Sequence, residues 1–198
     1  MSRIAVLGSG AWGTAIALSL CRRGGHQVTL WAHAEELAQQ IAAARENKQF
    51  LPGFPLPEDL GITADRITIS EADIVVSVIP SEFLRPTLQR VRPYLRTGQF
   101  LVSATKGLEE STHFRMTQVL SETLESAGLL LSIGALSGPS FAAEVASGQP
   151  TAVTIAFRDP QIAALIQQEF SSETLRLYTS TDVIGVELGG ALKNVIAI

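Results

Sequence analysis

The chain has 198 residues, of which 46% are hydrophobic and 17% are charged, and its formal net charge is −4. This composition excludes a disordered chain, and the length suits one large α/β domain or one domain with the start of another. The negative charge argues against nucleic acid or an acidic membrane surface as the main partner. Cys21 is the only cysteine, so no disulfide can form within the chain. A reducing cytoplasm fits this cysteine usage.

The chain begins with a strand, a Gly-x-Gly-x-x-Gly turn and a helix. We predict the strand at Ile4–Gly8 and the helix at Gly13–Arg23, with Gly8, Gly10 and Gly13 forming the turn. In such turns the first glycine makes the sharp bend, the second lets the backbone approach a pyrophosphate, and the third lets the helix lie close to the strand. The N–H groups that begin the helix would then meet the diphosphate. The sequence therefore predicts a dinucleotide site.

The first segment has a second interpretation that the glycines exclude. No charged residue lies between Ile4 and Cys21, which a hydropathy scan could take for a signal peptide or a membrane span. The glycines interrupt this run, and the pattern changes there from strand to helix. We therefore predict no targeting segment and no transmembrane segment.

Strand and helix patterns alternate along the rest of the chain. The predicted strands are Gln27–Trp31, Ile67–Ile69, Ala72–Ile79, Phe100–Thr105, Leu129–Leu136, Thr151–Phe157 and Leu175–Thr179. The predicted helices are Ala34–Glu46, Glu82–Leu95, His113–Ala127, Ser140–Ser147, Pro160–Phe170 and Asp182–Ile198. Phe50–Leu60 contains three prolines and is predicted as a loop. The alternation, with continuous Val/Ile/Leu strands, predicts an α/β fold with a doubly wound, mainly parallel Rossmann-type sheet.

The composition shifts at Asp182, a predicted N-cap, where an apolar helix begins. A helix that is apolar nearly all round must be buried, and nothing after it in this sequence can bury it. We therefore divide the chain into a dinucleotide-binding domain, residues 1–181, and the first helix of a second domain, residues 182–198. This division predicts that the chain is truncated or depends on a partner.

Polar residues follow several predicted strands, at the edge where open α/β sheets bind ligands. His33 stands where NAD enzymes place an acid, which permits NADPH; it could meet the ribose or its 2′-phosphate, or simply open the next helix. Lys106 could hold a phosphate or an oxyanion, or be a solvated surface lysine. Ser140 offers a hydroxyl and a helix start at the same edge, although an ordinary capped helix would look alike.

The last helix contains Gly189-Gly190 and one cation, Lys193. Each glycine in a helix costs about 1 kcal/mol against alanine, so the pair predicts close packing. Desolvation would favour the neutral form of Lys193 and make it a general acid or base. Alternatively, its stem lies on apolar surface and its ammonium reaches water. The three histidines show no metal-ligand spacing and one cysteine cannot make a zinc site, so no metal is predicted.

Six stretches of the chain together resemble the bacterial NAD(P)-dependent glycerol-3-phosphate dehydrogenases. In family order they are GSGAWGTA (8–15), LWAH (30–33), NKQFLP (47–52), ATKGLE (104–109), LSGPSFA (136–142) and GVELGGALKN (185–194). Any one of them would be a weak signal. The succession of the last three is specific, and the six stretches are distributed along the whole chain.

The resemblance implies the reversible reduction of dihydroxyacetone phosphate to sn-glycerol 3-phosphate, a phospholipid precursor, with NAD or NADP. A homodimer is one option for its assembly. It implies that Lys193 is the proton acceptor when the alcohol is oxidised, and that Lys106, Gly138 and Ser140 also contact substrate. Beside the turn glycines, the implied cofactor contacts are Ala11, Trp12, His33, Phe50, Lys106 and Ala142.

The family continues into an all-helical domain that supplies an Asp near the lysine and an Arg–Asn pair for the phosphate. This sequence stops five residues after Lys193. We therefore expect the chain to bind the nucleotide but to turn over substrate poorly or not at all. Two alternatives stay open: a dehydrogenase for another phosphorylated or carboxylated hydroxy compound, and a non-catalytic nucleotide-binding fragment.

Overall fold

The computed structural model describes residues 1–196. Its strands are β1 (Ser2–Leu7), β2 (His26–Trp31), β3 (Glu46–Asn47), β4 (Leu51–Pro55), β5 (Gly61–Thr63), β6 (Ile74–Ser77), β7 (Phe100–Ser103), β8 (Ser132–Ser137), β9 (Thr151–Ala156) and β10 (Leu175–Ser180). Its helices are α1 (Ala11–Arg23), α2 (Glu35–Ala44), α3 (Ile67–Glu71), α4 (Ser81–Val91), α5 (Met116–Glu125), α6 (Ala142–Ser147), α7 (Pro160–Phe170) and α8 (Val183–Ile196). None of the helices described is long and apolar enough to cross a membrane.

Eight strands form one sheet in the order β10-β9-β8-β7-β6-β1-β2-β5. Every neighbouring pair is parallel except β8 and β9, which are antiparallel. Helices cover both faces, because successive residues of a strand point to opposite sides. In β1, Ile4 and Val6 pack with α1 and α7, whereas Ala5 and Leu7 pack with α3, α4 and α5. The prediction of a doubly wound, mainly parallel sheet is confirmed.

The reversal at β9 decides where the last helix runs. Because β9 and β10 run opposite to β8, β10 ends at the amino edge of the parallel strands, and α8 must return from there. Near its start Val183 packs against Ala135 and Ala156, and further along Gly190 lies against Ser137 at the end of β8. The helix therefore brings Lys193 back to the carboxyl edge of the sheet.

Part of the loop predicted at Phe50–Leu60 is a strand, since Leu51–Pro55 forms β4, whereas residues 56–60 form neither strand nor helix. Helix α2 ends at Ala44 because Arg45 adopts a left-handed backbone conformation (φ 46°), and the chain then enters an antiparallel hairpin of β3 and β4. The prolines of β4 lie on an exposed edge of this two-stranded sheet, where no N–H is needed. The three prolines of the segment argued against a strand. Strand β4 is also too short and too exposed to show alternating apolar and polar residues.

The strand predicted at Ile67–Ile69 is also wrong, since these residues begin helix α3. The Asp65 carboxylate accepts a hydrogen bond from the Ile67 N–H (3.0 Å), and the Thr68 hydroxyl donates to the Asp65 carbonyl (2.9 Å). These local bonds start a helical turn and compete with strand pairing. The additional sheet strand is β5, which pairs with β2.

The other predicted elements have the predicted type, with shifted ends. Helix α4 stops at Val91 and continues as a short 3₁₀ turn, and α5 begins only at Met116. The Asp182 carboxylate accepts from the Gly185 N–H (2.8 Å), which confirms the predicted N-cap of α8. Along α8, Ile184 and Leu192 remain about half-exposed (52% and 48%), so the described chain does not bury this helix all round. The last two residues of the predicted helix lie outside the described residues.

Candidate cofactor and substrate site

The glycine turn, residues 8–13, meets the geometric demands of a dinucleotide-binding turn. Gly8 has φ +119°, and an added Cβ would lie 2.9 Å from the Val78 carbonyl oxygen. A Cβ at Gly13 would overlap the Gly8 carbonyl, so this glycine lets α1 lie close against β1. A Cβ at Gly10, the N-cap of α1, would meet no protein atom within 4 Å. The chain thus needs two of these glycines for its own packing and leaves open space at the third.

A cavity of about 240 Å³ lies beside the glycine turn at the carboxyl edge of the sheet. It is lined by Trp12, Val78, Ile79, Pro80, Ala104, Thr105, Lys106, Ser140 and Ala142. Within the described part of the chain, the buried Trp12 Nε1 has no hydrogen-bond partner. An unpartnered donor in such a place is costly unless a ligand or water accepts from it.

The Lys106 ammonium lies at the centre of the polar groups around this cavity. Its Nζ is 3.2 Å from the Ser140 Oγ, 3.4 Å from the Gly138 carbonyl oxygen and 5.7 Å from the centre of the Trp12 ring. Burial lowers the pKa of the Lys106 ammonium, and the positive charge of Lys193 lowers it further. Two cations near each other and partly out of water favour an anion between them.

Helix α8 carries Lys193 to this place and is fixed by contacts on two sides. The Lys193 Nζ lies 5.6 Å from the centre of the Phe141 ring. Six residues earlier, the buried Glu187 carboxylate accepts hydrogen bonds from the Thr117 N–H (2.8 Å) and hydroxyl (2.6 Å), and it pairs with Arg115. Gly190 lets the helix approach β8, since a Cβ there would overlap the Ser137 side chain. We call Lys106, Ser140 and Lys193 the lysine cluster.

The structure brings together most of the residues selected from sequence. Trp12, Lys106, Ser140 and Ala142 line one cavity, while Gly138 and Lys193 lie next to it. His33 and Phe50 do not line it. His33 is exposed after the end of β2, and Phe50 is exposed on the β3–β4 hairpin. The role of either residue toward a cofactor stays a prediction.

Sequence reasoning missed several residues of the cavity wall. Val78–Pro80 follows β6, and Thr105 follows β7, where its hydroxyl donates to the Ile79 carbonyl (2.7 Å). A signal was available, since these residues come directly after buried strands that end at the same edge. These residues are uncharged, however, so their residue types did not indicate a site. No group of three or more His, Cys, Asp or Glu side chains within residues 1–196 is arranged to hold a metal ion.

Comparison with known proteins places this geometry in a family. Residues 3–163 match the family described as "NAD-dependent glycerol-3-phosphate dehydrogenase N-terminus". The chain belongs to this family. It is 54% identical to glycerol-3-phosphate dehydrogenase [NAD(P)+] of Acidobacterium capsulatum and 50% identical to that of Koribacter versatilis. Both alignments cover 100% of this chain, but only 60% and 59% of the relatives.

A solved structure agrees with the sequence relatives. The crystal structure of glycerol-3-phosphate dehydrogenase from Coxiella burnetii has 32% sequence identity and a TM-score of 0.90, and it matches over 99% of this chain. This chain covers 59% of that protein. The chain therefore spans about three-fifths of the length of the relatives that it matches.

Proposed function

We propose that this chain is the cofactor-binding part of an enzyme that reduces dihydroxyacetone phosphate to sn-glycerol 3-phosphate with NADPH or NADH. The observation that carries the proposal is the position of the Lys106 ammonium, 3.2 Å from the Ser140 hydroxyl, in a cavity beside the glycine turn. A nucleotide-binding turn alone would fit many proteins. A partly buried cation beside it supplies a site for a phosphorylated or oxyanionic substrate.

The residues present fit a pyridine dinucleotide. The open space at Gly10 admits a pyrophosphate against the N-terminus of α1, and the neighbouring Trp12 lines the adjoining cavity. Ala11, Gly13 and Ala142 offer small surfaces beside the cofactor, while His33 and Phe50 would reach it from outside the cavity. When bound, the cofactor supplies or accepts the hydride.

The side chains of the lysine cluster then do the proton and charge chemistry. As the substrate carbonyl becomes an alkoxide, the Lys193 ammonium donates a proton to its oxygen, and in the reverse direction the neutral amine accepts that proton. Lys106 balances negative charge on the substrate, and the Ser140 hydroxyl and the Gly138 backbone orient it. Each step needs the substrate held between α8 and the end of β8.

We also propose that residues 182–198 begin a second domain that completes the site. The proposal is supported by the half-exposed apolar side chains of α8 and by the greater length of the relatives. The chain alone would then bind the nucleotide and turn over slowly. The same proposal predicts a cytoplasmic enzyme that forms a homodimer, which the molar mass in solution tests.

A binding and turnover experiment separates this proposal from its alternatives. We expect the chain to bind NAD+ or NADP+ in a calorimetric titration and to oxidise NADPH with dihydroxyacetone phosphate slowly. A form extended to the length of the relatives should have a much higher kcat/KM, and Lys193→Ala should lower its kcat by about a hundredfold or more. Lys48→Ala, which removes an exposed lysine, is the control.

The possible outcomes distinguish the proposed function from the two alternatives. Binding without turnover in either form would favour a non-catalytic nucleotide-binding protein. Turnover of other phosphorylated or carboxylated hydroxy compounds, but not of dihydroxyacetone phosphate, would favour a related dehydrogenase. A folded chain that binds no dinucleotide would refute the proposal.

A further inference from the structure

The β3–β4 hairpin contains a buried amide that contacts the glycine turn. Asn47 is fully buried, although it belongs to a short hairpin whose neighbouring residues 48–50 are exposed. Its Nδ2 donates to the Ser9 carbonyl oxygen (2.8 Å) and to the Thr14 Oγ1 (2.8 Å). Both N–H groups of the amide are therefore used on the glycine turn and the first turn of α1.

These bonds fix the orientation of a peptide group in the turn. In a trans peptide the carbonyl and the following N–H point in opposite directions. Since the Ser9 carbonyl points to Asn47, the Gly10 N–H points away from it. The Thr14 hydroxyl, which accepts from Asn47, donates in turn to the Gly10 carbonyl (2.9 Å) and continues the chain of hydrogen bonds. The backbone at Ser9 and Gly10 is thus held by two linked side chains, Asn47 and Thr14.

The same amide also fixes the hairpin. Its Oδ1 accepts a hydrogen bond from the Phe50 N–H (3.2 Å), which closes the turn between β3 and β4. Leu51 anchors the hairpin from its other strand, because it is buried against Ala15 and Leu18 of α1. The hairpin therefore lies on α1 at the end where a pyrophosphate would bind.

We propose that Asn47 is a positioning residue for dinucleotide binding. It holds the Ser9–Gly10 peptide in the orientation that keeps the Gly10 N–H available to the pyrophosphate, and it fixes the turn of the hairpin through the Phe50 N–H. This inference rests on the proposed function, since it assumes that the turn binds a dinucleotide. It assigns the hairpin, which forms a separate two-stranded sheet, the task of organising the glycine turn before the ligand binds.

Asn47→Asp tests the inference, with NADP+ as the probe and its affinity compared with that of the unmodified chain at each pH, because the 2′-phosphate of NADP+ itself titrates in this range. The ionised carboxylate cannot donate to the Ser9 carbonyl and adds negative charge near the pyrophosphate. We expect affinity at pH 8 to fall about tenfold or more. Protonation restores one donor and removes the charge, so the affinity of the variant should recover as pH falls towards 5. Gln49→Ala, at an exposed position of the same hairpin, is the control and should follow the unmodified chain throughout.

A second pair of variants removes the partner instead of Asn47, in case the buried carboxylate prevents folding. Thr14→Val deletes the hydroxyl that accepts from Asn47, whereas Thr14→Ser keeps it. We expect the valine variant to bind NADP+ several-fold more weakly and the serine variant to bind normally. A role in stability alone would lower the Tm without changing affinity below it and without the recovery at low pH.

The result that overturns the inference is a folded Asn47→Asp or Thr14→Val chain whose NADP+ affinity equals that of the unmodified chain at every pH. Failure of the unmodified chain to bind NADP+ or NAD+ is a different result. It would refute the proposed function, and the inference with it.

Discussion

The glycine turn and the lysine cluster lie at the same edge of the sheet, but they are held in different ways. The turn is fixed by close packing and by neutral hydrogen bonds to Asn47 and Thr14. The cluster places two ammonium groups near each other, and the second of them lies on a helix that is partly exposed. The first region is organised without a ligand, whereas the second has an excess of positive charge that an anionic ligand would offset.

This difference suggests a division of labour. A backbone that already has its binding conformation loses little conformational entropy when a pyrophosphate binds, because its donors already have their final positions. A pair of partly desolvated cations is unfavourable in the free protein and becomes favourable when a phosphate or an alkoxide arrives. The turn would thus provide affinity for the nucleotide, and the cluster would respond to the substrate.

Two alanine variants of the turn separate packing from binding, and we expect them to have the largest effects. Gly13→Ala should destabilise the chain by about 3 kcal/mol, because its Cβ would overlap the Gly8 carbonyl. Gly10→Ala should change the Tm little, since its Cβ meets no protein atom within 4 Å, yet it should weaken dinucleotide binding by about tenfold to a hundredfold. Thermal unfolding and calorimetric titration of both variants test this. Equal loss of affinity and stability in both would contradict the assigned roles.

The lysine side of the edge depends on an ion pair outside the cavity. Arg85 on α4 makes a bidentate pair with the buried Glu109 (2.7 and 2.8 Å) and also contacts Glu122. This pair holds the loop that follows Lys106. Arg85→Ala should therefore destabilise the chain by about 2–3 kcal/mol at neutral pH. Arg90→Ala, at an exposed position of the same helix, is the matched control.

The ion pair between Arg85 and Glu109 should stabilise the fold less at low pH than at neutral pH. The hydrogen-bonded guanidinium of Arg85 lowers the pKa of the Glu109 carboxyl below its ordinary value, and burial opposes this only in part. A carboxyl with a lowered pKa stabilises the fold above its unfolded pKa, and this stabilisation is lost as pH falls through the folded value. The difference in Tm between the unmodified chain and Glu109→Gln should therefore shrink as pH is lowered from 7 towards 3. A constant difference would contradict the assignment.

Sequence reasoning could predict the side of the molecule where chemistry lies, but not how the site closes. Buried strands such as β1 and β6 are continuous apolar runs, and their ends mark the carboxyl edge. No local sequence pattern indicates the antiparallel pairing of β8 with β9, because this pairing depends on how the strands are arranged in the folded sheet. That pairing sends α8 back to Lys106. The contact of Asn47 with Ser9 could not be predicted either. It joins residues far apart in sequence, and it depends on a hairpin whose prolines argued against a strand.

Helix α8 is held to α5 by Glu187, so this carboxylate should control how firmly Lys193 is placed. Glu187→Gln removes the charge that pairs with Arg115, and it replaces one of the two oxygens that accept three hydrogen bonds with an NH2 group that cannot accept. We expect a loss of about 2 kcal/mol, concentrated in α8, with faster amide exchange there and little change in α1. Glu125→Gln, at an exposed position of α5, is the control. Uniform exchange changes across the sheet would show that α8 does not open separately.

The smallest expected effect tests the electrostatic contact within the lysine cluster. Burial lowers the pKa of Lys106, and the charge of Lys193 lowers it further, so Lys193→Ala should raise the pKa of Lys106 without restoring its ordinary value. The resonance of the Lys106 Cε, followed by NMR from pH 7 to high pH, reports this titration directly. Lys48→Ala should leave the midpoint unchanged, because Lys48 is exposed on the hairpin. A midpoint that stays the same or falls in Lys193→Ala would mean that the two ammonium groups do not sense each other. The cluster would then not respond to an anion as a unit, and the contrast with the glycine turn would rest on packing alone.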